Sequence, residues 1–174
     1  KADPNGGMDI EPEETKVEMY GEGEYRAYNK WEGHYANVVV KDSNGKILFL
    51  KRAEDKVIAP GQYCLPGGHI DKNENIYQAA ARELHEETNL ECCNNLIMLG
   101  KAKCDDGKWA FYLEATQVEG QLAIIDGESD DACWMDRDEW MQSDLIFDLK
   151  DHMIELEALD VQSIPTIVSK AEFD

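Results

Sequence analysis

Residues 75 to 88 read NIYQAAARELHEET, a run of helix-forming side chains with Asn75 at its start and Asn89 just behind it. Asn75, or Asn73 two residues earlier, is placed to cap the start, and Asn89 to take the left-handed conformation that stops the helix. The constraint lies in the final turns. At about 100° per residue, Glu83, Glu86 and Glu87 fall inside a sector about a quarter of the circumference wide. In the preceding turns that face carries Ile76, Ala79 and Ala80, so it looks inward and the carboxylates lie over a sheet edge. The C-terminal end of a helix disfavours anions by about 0.3–1 kcal/mol per charge, and the Glu83/Glu87 pair at i,i+4 adds to the cost. A divalent cation held by hard oxygen ligands is the simplest compensation, because Mg²⁺ uses a few carboxylates and completes its shell with substrate phosphates. The helix alone also allows a plainer reading, a Glu-rich surface helix in a very acidic protein.

The pattern around this helix is that of one domain, spanning residues 31–160. HYANVVVKD and KILFLKR are β-rich runs joined through SNG, where Asn44-Gly45 signals a hairpin. RAEDKVIAPGQYCLPGG is loop chemistry, leading through a short Tyr63 to Leu65 run into Gly67-Gly68. After the helix, NLIMLGKAKC and KWAFYLEATQV read as strands around DDGK, and ACWM as a further short strand. DLIFDLKDHMIELEAL carries Leu145, Leu149, Met153 and Leu156 at helical spacing. Strands, a helix, more strands and a helix predict an α/β fold, a mixed β-sheet sandwiched between α-helices. Residues 1–30, acidic and rich in Glu, Pro and Gly, read as a poorly ordered arm, and 161–174 as a tail. With Lys1 rather than Met at the start, these ends are what a processed product or an excised piece of a longer protein would show.

Composition narrows the partners. A net charge of −20, from 37 acidic and 17 basic residues, argues against an outer surface that grips nucleic acid or anionic lipid. A phosphate-bearing ligand would need local cations. Five cysteines without CxxC spacing suggest neither a disulfide framework nor a zinc ribbon. No apolar run has the length that spans a bilayer and no basic-then-apolar leader opens the chain, so a soluble, cytoplasmic protein is expected.

GHIDKNENIYQAAARELHEETNL, Gly68 to Leu90, closely resembles the Nudix box: a glycine, five residues, a glutamate, seven residues, then REUxEExGU with U bulky and aliphatic. Gly68, Glu74, Arg82, Glu83, Leu84, Glu86, Glu87 and Leu90 fall in register. Asn89 stands where the box has glycine, a mild departure because Asn tolerates the left-handed region better than other residues with a side chain. GQYCLPGG is similar to the family's approach to the box, with Tyr63 where Trp is common, and ILFLKR to its preceding strand. ESDDACWM resembles a later segment in which a glutamate six residues before a Trp adds a metal ligand, here Glu128 before Trp134.

The resemblance implies the Nudix fold and the hydrolysis of a nucleoside diphosphate linked to another group, with Mg²⁺ or Mn²⁺ on the pyrophosphate. ADP-ribose, dinucleotides and nucleoside triphosphates are substrates of this type. By motif position Glu83, Glu86, Glu87 and Glu128 would be metal ligands together with the Gly67 carbonyl. Glu83 is the first candidate for general base and Glu86 the second. Arg82 reads as structural support that orients Glu83 or Glu74. Glu74 suits the helix dipole and supports Arg82 or the metal shell. Arg52 is a candidate phosphate contact or a solvated strand-end residue. Many relatives are homodimers. The alternative is a Nudix-fold module that binds a nucleotide or a protein without turnover; the intact carboxylates argue against it. His34, His69, His85 and His152 form no site by spacing, and His69, beside the box glycine, is within reach of substrate but reads as an incidental loop histidine. Trp109, Phe111, Tyr112 and Trp134 lie on strands and read as core, with one of them or Tyr63 available to flank a nucleobase.

Overall fold

The computed structural model describes residues 25–93, 95–125 and 127–159. Its elements are β1 (Tyr35–Val40), β2 (Ile47–Arg52), β3 (Tyr63–Cys64), β4 (Gly67–His69), α1 (Ile76–Thr88), β5 (Leu96–Lys103), β6 (Trp109–Ala115), β7 (Ser129–Met135) and α2 (Arg137–Met141). A last helix, α3, covers residues 149–159.

The consecutive valines of β1 are explained by its place. Val38 and Val40 are buried in the core beneath α1, while Val39 is buried in a second core with Leu149 and Met153 of α3. A strand covered on both faces has no use for polar alternation. β1 is central in a mixed four-stranded sheet of order β4-β1-β6-β5, antiparallel to β4 and parallel to β6. A second, antiparallel sheet has the order β3-β2-β7. Ile76, Ala79, Ala80 and Leu84 of α1 pack on one side and Trp140, Leu149 and Met153 on the other. The α/β sandwich is therefore built on two sheets. Phe111 and Tyr112 are buried core residues of β6, whereas Trp109 and Trp134 are half-buried.

Three sequence expectations change in the structure. The Asn44-Gly45 turn forms, with Gly45 at φ 81° and its N–H donating to the Asp42 carbonyl, but it makes no hairpin. After the single bridge Lys41 to Ile47, β1 and β2 part into different sheets. Each strand finds longer partners there than the other could offer: β1 runs six residues beside β6, and β2 runs along β7. The final helix forms within the expected stretch but begins at residue 149, which leaves Leu145 outside it. Residues 144–146 are instead extended along β3, where the Tyr63 N–H donates to the Asp144 carbonyl and the Ile146 N–H to the Tyr63 carbonyl. Residues 25–30, assigned to the arm from sequence, contribute to the domain: Tyr25 is buried against Phe111 and Trp31, and the Arg26 carbonyl accepts from the Asn75 side chain. The rest of the arm and residues 160–174 lie outside the described residues. No helix among the described residues is long and apolar enough to cross a membrane.

Candidate active site

The site begins with how α1 is held. Asn75 is the N-cap: its side chain accepts from the Gln78 N–H at 2.8 Å, and the Gln78 side chain accepts from the Asn75 N–H at 3.0 Å. This reciprocal pair satisfies two of the amides that a helix start leaves without partners. At the other end Asn89 stands at φ 68°, its N–H donating to the His85 carbonyl and its side chain to the Gln121 carbonyl. Buried Ala79 and Ala80 bring the helix close to the four-stranded sheet.

That approach sets the last turns of α1 against β4, the edge strand. A Cβ at Gly68 would collide with the Glu83 carboxylate, so a side chain at this position would displace Glu83 from its place against β4. One residue earlier, the Gly67 N–H donates to Glu87 Oε1 at 3.2 Å. Glu83 is thereby largely enclosed, with its side chain 14% exposed, while Glu86 stands 53% exposed at the rim.

Arg82 lies at the centre. Its Nε donates to Glu74 Oε2 at 2.6 Å and its Nη2 to Glu74 Oε1 at 3.1 Å, a bidentate pair. Nη1 meets Glu83 and Glu86, both at 3.2 Å. Nη2 also donates to the His69 carbonyl and pairs with Asp71 at 3.3 Å. Burial pushes the Glu74 carboxyl up, but the hydrogen bonds from Arg82 and the Asp71 N–H together outweigh it and hold Glu74 below the usual carboxylate range. The hydrogen bond to Glu74 likewise raises the Arg82 guanidinium against the opposing effect of burial, so its charge is permanent.

Asp71 was not singled out from sequence; it lies five residues before the first helical residue, Ile76, and no periodicity links it to Arg82 eleven positions on. Four carboxylates, Asp71, Glu74, Glu83 and Glu86, meet one guanidinium, and Glu87 stands at the Gly67 amide beside them, so five carboxylates against the single charge of Arg82 leave four formal negative charges. All the donors are hard oxygens, the set that suits Mg²⁺ or Mn²⁺ rather than a soft metal. Among the described residues no three acidic, His or Cys side chains are already closed into a metal-holding group. Glu83 and Glu86 are turned to Arg82 and Glu87 to the Gly67 amide, so coordination would draw on rotation of these side chains.

The remaining sequence candidates, Arg52 at the end of β2 and Glu128 just before β7, contact the 53–62 loop. Arg52 Nε donates to the Ile58 carbonyl at 2.9 Å, and the Glu128 carboxylate pairs with Lys56 at 3.7 Å while its carbonyl accepts from the Ala53 N–H. All five cysteines are free thiols.

The α/β sandwich thus sets the carboxylate row of α1 against a glycine-bearing edge strand. A family model described as NUDIX domain matches residues 33–156, and the chain belongs to that family. An uncharacterized Nudix hydrolase of Yersinia pestis is 32% identical over 108 residues, 56% of this chain and 55% of that one. The chain thus spans about half the length of this curated relative. The crystal structure of a MutT protein from Methanosarcina mazei Go1 is similar with a TM-score of 0.65 at 19% identity, covering 77% of this chain and 99% of that one. The NUDIX domain of Shewanella oneidensis NrtR, complexed with ADP ribose, is similar with a TM-score of 0.61 at 20% identity, covering 87% and 99%. At these identities the structural likeness is one of fold.

Proposed function

We propose that the chain hydrolyses the pyrophosphate linkage of a nucleoside diphosphate derivative, of the ADP-ribose, dinucleotide or nucleoside triphosphate type, with Mg²⁺ or Mn²⁺ as the working ion. The observation that carries this is the surplus of hard-oxygen donors on the inward face of α1, incompletely neutralised by Arg82 and pressed against the Gly67-Gly68 edge. Family membership and the ADP ribose complex of the NrtR domain support the ligand class. Glu83, Glu86 and Glu87 would hold the ion, with the Gly67 carbonyl and Glu128 as further donors. A divalent ion at such a site neutralises phosphate charge and lowers the pKa of attacking water.

The protein's own groups do the rest. Glu83, enclosed beside Gly68, is the first candidate to take the proton of the attacking water, and Glu86 the second. Arg82, locked by Glu74 and Asp71, keeps both carboxylates oriented. Arg52, at the end of β2, would contact a phosphate with the part of its guanidinium not bound to Ile58.

The test is turnover by the full chain with Mg²⁺ or Mn²⁺ on ADP-ribose, dinucleotides, diadenosine polyphosphates and nucleoside triphosphates. At least one should be cleaved, and Glu86→Gln or Glu87→Gln should cut kcat by about a hundredfold or more while leaving the fold intact. A folded wild type inactive on the whole panel, or unchanged rates in both variants, would overturn the reading.

A further inference from the structure

A diphosphate carries its negative charge to a site that already holds a surplus of carboxylates. Arg82, the cation among them, is committed to Asp71, Glu74, Glu83 and Glu86. Positive charge for the phosphates must come from another element.

Strand register brings one to the right place. β1 and β2 touch at the bridge Lys41 to Ile47. Five residues back along β1 is Ala36, the partner of Gly68 on β4, and five residues on along β2 is Arg52. The end of β2 therefore lies at the same end of the fold as the Gly67-Gly68 edge. Glu128 is brought to that end by β7, because its neighbour Ser129 pairs with Arg52. The loop that follows is pinned there. The Ala53 N–H donates to the Glu128 carbonyl at 3.0 Å, the Glu54 N–H to the Asp130 carboxylate at 3.2 Å and the Gly61 N–H to the Arg52 carbonyl at 3.1 Å.

Within this frame the ion pair of Lys56 with Glu128 is the loose joint. Lys56 Nζ lies 3.7 Å from Glu128 Oε1, beyond hydrogen-bond length, and the two side chains are 30% and 62% exposed. A pair so placed is weak, and its partners separate readily. The next residue, Val57, is 95% exposed, so the loop tip that carries Lys56 stands in water.

We propose that Lys56 exchanges partners: it holds the Glu128 carboxylate in the absence of a divalent ion and turns to a phosphate oxygen of the substrate when Glu128 serves as a metal ligand. The inference rests on the hydrolase reading for the role of Glu128. Electrostatics give the exchange its direction, since a carboxylate taken by a cation leaves the ammonium unpaired beside a newly bound anion. Lysine suits the task because its compact charge sits on a flexible stem with three rotatable donors. Lys56 is thus a substrate-binding residue that also competes for a metal ligand.

Calorimetry on the full chain tests this with two probes, Mn²⁺ alone and methylenediphosphonate at saturating Mn²⁺. Lys56→Met should bind Mn²⁺ about threefold more tightly than wild type and methylenediphosphonate about tenfold more weakly. In a Glu128→Gln background the gain for Mn²⁺ should vanish, while the loss for methylenediphosphonate should remain. Lys51→Met, which removes the same charge from the neighbouring β2 position, where Lys51 pairs with Glu54, should change neither affinity by more than about twofold. Unchanged affinities in Lys56→Met, shifts of the same sign, an Mn²⁺ gain that survives in Glu128→Gln, or equal effects from Lys51→Met would overturn the proposal. Turnover is measured separately. Any of those results in an active enzyme leaves the hydrolase reading standing, whereas the opposed shifts with no nucleotide cleaved would sustain the exchange and overturn that reading. A wild type that binds neither probe would overturn both.

Discussion

Arg82 answers, at the scale of single residues, why three glutamates are tolerated at the wrong end of a helix. Its guanidinium touches Glu83 and Glu86 directly and is held in place by Glu74 and Asp71. Glu74 is therefore a support whose value depends on its charge. Because its folded carboxyl lies below the ordinary value of 4.5, its stabilisation is complete above that value and is lost as the pH falls through the lower folded one. Glu74→Gln should cost about 1.5 kcal/mol at neutral pH, and progressively less in acid, in urea unfolding of variant and wild type. A gap that stays the same from about pH 7 to about pH 3 would show that the carboxylate charge is not what Arg82 needs. Arg82, Glu74 and the three glutamates were legible in the sequence because they lie within one helix and its approach. Asp71 and Lys56 carried no such spacing, since their partners come from other elements.

At the scale of elements, α1 was readable to its ends. Asn75 caps it and Asn89 stops it, as the two asparagines imply, and the choice between Asn73 and Asn75 was decided by Gln78 completing a reciprocal cap. Asn73 instead takes φ 66° in the turn before. At Asn89 the left-handed backbone makes a specific prediction. Asn89→Ala should destabilise the protein more than Asn89→Gly by about 1 kcal/mol, although both lose the bond to Gln121, because only the alanine strains at positive φ. Thermal melts of the two variants check it, and the reverse order would refute the geometry. The short α2 escaped the reading, yet its signal was present: Asp136 and Glu139 form the same reciprocal cap, three residues apart before Trp140. The hairpin failed for the opposite reason. A turn signal is local, but strand partners are chosen by the burial available across the whole sheet.

For the whole molecule, a chain of net charge −20 concentrates a further group of carboxylates at one sheet edge, and any ion that binds only the folded state must stabilise it. Millimolar Mn²⁺ should raise the melting temperature over a monovalent salt of matched ionic strength, by about 2–4 °C for each kcal/mol of binding free energy. The shift should shrink in Glu86→Gln and Glu87→Gln. If it persists in full in both, the ion is acting on the acidic surface at large.

The sequence by itself determined the helix, its C-terminal stop, the carboxylate row and the family resemblance, because these depend on residues a few turns apart whose geometry follows from helical periodicity. Only the tertiary structure decided that β1 and β2 separate into two sheets, that Tyr25 joins the core, and that Asp71 reaches Arg82. It also decided that Lys56 meets Glu128 beside the start of β7. These contacts join segments distant along the chain, and which segments meet is set by competition for burial and for backbone hydrogen bonds across the whole fold.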